Sequence, residues 1–98
     1  MAQYHVYEIA PGRLVLDLQS DLIETGSRVV APLFAEGQGP RPIGRLEPLL
    51  TINGANHVMH TAEMAAVPAS LLRGAAVADL TEQDYEIKGA LDMVFSGF

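Results

Sequence analysis

Four groups of residues have types and spacings that could do chemistry. His57-Val58-Met59-His60 has the i, i+3 separation of a metal-ligand pair. The surrounding composition predicts a strand, where residues three apart point to opposite faces, so one ion could not be shared and structural histidines are the simpler reading. No metal ligand is assigned. Gly37-Gln38-Gly39-Pro40 is glycine-rich, but Arg41-Pro42 follows it. A phosphate-cradling loop runs from a strand into a helix start, so this is read as a flexible loop without a cofactor. Ser20-Asp21 and the isolated His5 could meet in three dimensions as nucleophile and base. No G-x-S-x-G elbow fixes either, and turns use Ser and Asp as local caps, so no catalytic residue is assigned. Arg41 and Arg45 could hold a phosphate or carboxylate bidentately, with solubility as the plainer alternative.

The elements that must position these groups are mostly strands. Residues 4–7 alternate weakly, Pro11-Gly12 marks a turn, and residues 13–19 put Leu14, Leu16 and Leu18 on one face, which predicts a hairpin. Residues 20–27 form a turn-rich connector around Leu22-Ile23, and residues 28–34 read as a strand with Pro32 at an edge or bulge. Residues 35–45 gather Gly, Pro and Arg into a long mobile loop. Asn53-Gly54, between residues 46–52 and 56–64, predicts a second hairpin with a type I′ turn. Residues 69–73 are too few to fix a period, and a strand is preferred to a helical turn.

The C-terminal segment predicts a helix capped by Thr81, with Glu82 and Asp84 in its first turn. Ile87, Ala90, Leu91, Val94 and Phe95 form its apolar stripe. The chain ends on Phe95-Ser96-Gly97-Phe98, an aromatic at a position that normally frays. Phe98 either folds back into the core or a dimer seam, or stands out to meet a partner.

Ninety-eight residues, 49 % hydrophobic and 18 % charged, predict one soluble domain over residues 1–98 without a membrane span. The formal charge of −6 disfavours direct nucleic-acid binding. No cysteine and no signal-peptide pattern at the first residues predict a reducing cytoplasm. A core this small without staples predicts a homodimer.

Three stretches resemble the CcdB family of toxins from bacterial toxin–antitoxin modules. Leu14-Val15-Leu16-Asp17-Leu18-Gln19-Ser20-Asp21-Leu22-Ile23-Glu24-Thr25 is similar to its strand and connector. His60-Thr61-Ala62-Glu63-Met64-Ala65-Ala66-Val67-Pro68-Ala69-Ser70, then Val77-Ala78-Asp79-Leu80, is similar to its central block. Residues 86–98 resemble its terminal helix. The resemblance implies a mostly β fold with one C-terminal α-helix, a small antiparallel CcdB/MazF-like barrel with an accessory sheet, and a two-fold dimer. It also implies a toxin that traps the A subunit of DNA gyrase on cleaved DNA and is removed by a cognate, CcdA-like antitoxin. The implied gyrase contacts are Leu22, Ile23, Asp92, Phe95, Ser96, Gly97 and Phe98. The implied antitoxin contacts are Pro11, Gly12, Arg13, Arg41, Arg45 and Glu47.

The chain departs from the family at Ser96, where a tryptophan stacking on a gyrase arginine is characteristic, and in a shorter early loop over residues 9–12. Serine supplies neither a cation–π contact nor a ring to bury, so weak poisoning, or none, is the expectation, strengthened by Ser96→Trp. Two alternatives accompany the gyrase toxin. One is a MazF-like endoribonuclease, against which the acidic charge and the lack of a basic groove weigh; the other is a degenerate homologue that keeps antitoxin binding and has lost gyrase poisoning.

Overall fold

The computed structural model describes residues 2–39 and 41–98; Pro40, in the expected loop, and Met1 lie outside the described residues. β1 (His5–Ala10) and β2 (Arg13–Asp17) form the first hairpin, with a register shift between Glu8 and Ala10. Gly12 takes φ 74°, the left-handed conformation that a tight turn after Pro11 requires. β3 (Ser27–Ala35) pairs with β2. β4 (Leu49–Ile52) and β5 (Ala55–Met59) form the second hairpin, and Asn53 and Gly54 both have positive φ, 50° and 84°, as a type I′ turn demands. β6 (Ala65–Pro68), β7 (Ala78–Asp79) and the helix α1 (Asp84–Ser96) complete the chain.

The seven strands of the described residues belong to one antiparallel sheet in the order β4-β5-β3-β2-β1-β7, and β6 branches from it by pairing with β3. Residues 27–30 of β3 pair with β6 and residues 33–35 pair with β5. Pro32 sits at the changeover, opposite Val15 of β2, with its carbonyl accepting from His60 N at 3.0 Å. Proline there is neither at an edge nor in a bulge: its missing N–H faces the gap between two outer partners, where no ladder bond is lost.

Side chains join the two ends of the sheet, leaving a nearly closed barrel. Gln83 accepts from Thr51 N on β4 and donates to Thr51 O, both at 2.9 Å, and Asn53 Nδ2 donates to Val77 O beside β7 at 3.3 Å. The register Val6–Leu16–Ala31 lies on the inner face with Leu33, Leu50, Ile52 and Met59, where Ile87 and Ala90 of α1 pack. Leu14, Leu16 and Leu18 share this face as their spacing predicts. The register Tyr7–Val15 lies on the other face, and with Val30 it forms a second buried cluster under Leu72. Burial on both faces hides Asp17 and Arg28 as well.

Several boundaries differ from the expected ones. Ala69–Leu72 is a 3-10 turn and no strand; it places Leu72 over the second cluster. The long loop contains a 3-10 turn at Gly44–Leu46, so β4 begins only after Pro48. β5 ends at Met59, and His60 leads into the 3-10 turn Thr61–Glu63. Thr81 is no helix cap: its hydroxyl and its N–H both donate to Asp79 Oδ1, and a 3-10 turn, Thr81–Gln83, precedes α1. Phe95 leaves the apolar stripe: the residue is 74 % exposed, while Val94 beside it is half-buried.

Candidate functional site

Two exposed apolar features stand out. The first is the connector between β2 and β3, where Leu22 is 93 % and Ile23 53 % exposed. Local hydrogen bonds shape it: Leu22 N donates to Ser20 Oγ at 3.2 Å, Ile23 N to Ser20 O at 3.1 Å, and Gln19 Nε2 to Ile23 O at 2.7 Å. Beneath it lies an ion-pair network. Arg28 Nε donates to both Asp17 oxygens at 2.9 and 3.2 Å, and Nη2 donates to Gln19 O at 2.9 Å and Asp21 Oδ1 at 3.1 Å. The N-terminal segment joins in through Gln3 N to Asp21 Oδ1 and Tyr4 N to Asp17 O, with Tyr4 held at φ 65°. Burial alone would lower the Arg28 pKa; the hydrogen bonds and charges of Asp17 and Asp21 outweigh it and raise the pKa above the usual arginine value.

The second feature is the end of α1. Gly97 caps the helix at φ 81°, its N–H donating to Met93 O at 3.0 Å. Only glycine adopts that left-handed cap without a Cβ penalty. Asp92, Phe95, Ser96 and Gly97 are exposed, and Phe98 is 79 % exposed, so the terminal aromatic does not fold back into its own core. Leu22 and Ile23 sit on a separate segment. Burial chiefly raises the Tyr4 phenol pKa, with Lys88 of α1 opposing and Asp84 adding.

The residues expected to meet an antitoxin fall into two places. Pro11, Gly12 and Arg13 form the exposed tip of the first hairpin. Arg41 is exposed in the loop, while Arg45 folds onto α1, with Nη2 donating to Gly89 O at 3.2 Å. A Cβ at Gly89 would lie 3.6 Å from the guanidinium, an ordinary van der Waals contact, so this approach does not depend on glycine. Glu47 is half-buried, its Oε1 accepting from Ile43 N at 3.0 Å, so it shapes the turn that carries Arg45. Arg45 and Asp92, expected in different interfaces, line one groove of about 550 Å³ with Tyr85, Glu86 and Gly89. Composition gives no sign of this groove, because it forms only when the loop docks on the helix.

The other candidate groups are not brought together. His60 lies beyond β5, contrary to the expected strand, with Nδ1 3.0 Å from Glu63 and 3.7 Å from Glu47 and its ring edge-on to Phe34 at 4.6 Å. His57 Nδ1 contacts Ala55 O at 3.1 Å. Among the described residues no three His, Asp or Glu side chains are grouped to hold a metal. His5 pairs with Asp79 at 3.4 Å, and Ser20 and Asp21 serve the connector. The Asp79 pKa is lowered chiefly by the Thr81 hydroxyl, then by the Thr81 N–H, with His5 adding. Asp84 raises the Lys88 pKa across their 3.2 Å pair.

The Arg28 network escaped the sequence reading. Its signal was present in Asp17, a carboxylate between apolar neighbours of one strand, and in Arg28 at the head of the next. No helix of the described residues is long and apolar enough to cross a membrane. The family model described as CcdB protein matches residues 3–97, from Gln3 beneath the connector to the Gly97 cap. This chain therefore belongs to the CcdB family, toxins of toxin–antitoxin systems that act on DNA gyrase.

Proposed function

We propose that residues 1–98 form one non-enzymatic toxin domain, acting in the cytoplasm as a homodimer, that binds the A subunit of DNA gyrase and is neutralised by a cognate antitoxin. The exposed end of α1 carries this reading. Phe95 and Phe98 present large apolar surfaces on either side of a glycine cap, and large exposed apolar surface marks a place where a partner binds. Leu22 and Ile23 extend the gyrase-facing surface, with Asp92 and Ser96 at its polar margin. The hairpin tip at Pro11, Gly12 and Arg13 and the segment of Arg41, Arg45 and Glu47 form the antitoxin-facing surface.

Ser96 favours a second reading, a degenerate homologue that keeps antitoxin binding and has lost gyrase poisoning, because a central aromatic anchor carries much of an interface's energy. Parallel titrations separate the two. Purified protein is titrated into a gyrase cleavage assay and, separately, onto an immobilised gyrase A fragment and onto its cognate antitoxin. Binding with accumulation of cleaved DNA supports the toxin. Antitoxin binding without either gyrase signal supports the second reading, and ribonuclease activity in the same preparation would overturn both.

A further inference from the structure

The Arg28 network is expensive for what it does to stability alone. Asp17 is fully buried and Arg28 is 4 % exposed, and moving two ions out of water cancels most or all of what their attraction returns. A pair of packed aliphatic side chains would hold β2 to β3 at least as well. What such a pair could not do is reach the connector. The guanidinium does so from below, because its Nη2 donates to Gln19 O and Asp21 Oδ1 while Nε stays on Asp17. Gln19 carries the constraint onward, accepting from Val29 N at 3.0 Å and donating to Ile23 O. Asp21 is tied a second time by Gln3 N at 2.9 Å. The connector is thus fixed at both ends and in the middle, and the two large side chains it carries, Leu22 and Ile23, point into solvent.

We propose that Arg28 is a positioning residue for partner recognition: its buried guanidinium clamps the connector in the conformation that presents Leu22 and Ile23 to a protein partner. The proposal rests on the reading of that surface as gyrase-facing. Its physical basis is preorganisation, since a loop already ordered in the free protein gives up less conformational entropy on binding. The network spends folding stability on the shape of an exposed apolar pair.

Asp21→Ala tests this with little risk to the fold, because the Asp21 side chain is 59 % exposed while Asp17 keeps Arg28 paired. Amide hydrogen exchange at Leu22 and Ile23 is expected to accelerate at least tenfold, with Leu16 of β2 unchanged, and affinity for the gyrase A fragment to fall roughly five- to tenfold. The double change Asp17→Leu with Arg28→Met is the sharper test. It is expected to keep the denaturant midpoint while loosening the connector and weakening binding; should it fail to fold, Asp21→Ala decides alone. Unchanged connector exchange in Asp21→Ala overturns the clamp, as does faster exchange with undiminished affinity. Leu22→Ala reads the other assumption separately: full affinity in that variant removes Leu22 from the gyrase interface, whatever the exchange rates show.

Discussion

Ser96 is exposed one residue before the glycine cap, so a larger side chain there meets no wall of its own protomer. Ser96→Trp is expected to tighten binding to a gyrase A fragment by about 1–2 kcal/mol, roughly five- to thirty-fold, through a restored arginine stack and buried ring area. Parallel titrations of both proteins measure it, and equal affinities would remove the α1 end from the gyrase contact. Asp79 gives a pH prediction at the same scale. Its pKa is lowered in the folded protein, so its contribution is present above the unfolded carboxylate range, about pH 4, and is lost as pH falls through the lowered value. Asp79→Asn should therefore be less stable than the parent at pH 7, with the gap narrowing progressively as the solution is made more acid than that range. Urea midpoints across an acid titration check this, and a gap that widens in acid would contradict it.

At the scale of the element, α1 is held at its start by one side chain and shaped at its end by one backbone conformation. Gln83 fills the hydrogen-bonding positions that a neighbouring strand would take at Thr51, so it both blunts the β4 edge and anchors the helix. Gln83→Ala should cost about 1 kcal/mol and speed exchange of the Thr51 amide, read by denaturation and by hydrogen exchange. At the other end, Gly97→Ala forces a Cβ into the left-handed region at φ 81°, a penalty of about 1 kcal/mol, or else redirects the chain. Phe98 then points elsewhere. The expected signature is a larger loss of gyrase affinity than of thermal stability, and losses in proportion would mean the cap matters only to the fold.

At the scale of the molecule, several large apolar side chains are open to solvent. Leu22, Tyr85, Phe95 and Phe98 are each more than two-thirds open, at 93 %, 83 %, 74 % and 79 %, in a chain whose inner core is already sealed by Ile87 and Ala90. A second copy or a partner is the economical cover for such surfaces. Sedimentation at micromolar concentration is expected to show a species of twice the 10.5 kDa protomer mass. A protomer alone at that concentration would rule out the homodimer as the working form.

The local signals in the chain were enough for its first hairpin, its type I′ turn and its terminal helix. Each depends on neighbours a few residues apart: Pro11-Gly12, Asn53-Gly54, and the i, i+3, i+4 spacing of Ile87, Ala90 and Leu91. The C-terminal aromatic could be read in two ways from sequence, and only the geometry at Gly97 turned it outward. Pro32 read as an edge or bulge residue, since no local rule shows that a strand changes partner beside it. The clamp under the connector and the groove between Arg45 and Asp92 were decided entirely by tertiary structure. Their members lie 11 residues apart for Asp17 and Arg28 and 44 apart for Arg45 and Gly89, and the strength of an ion pair or a close approach depends on the burial that the finished sheet and helix create.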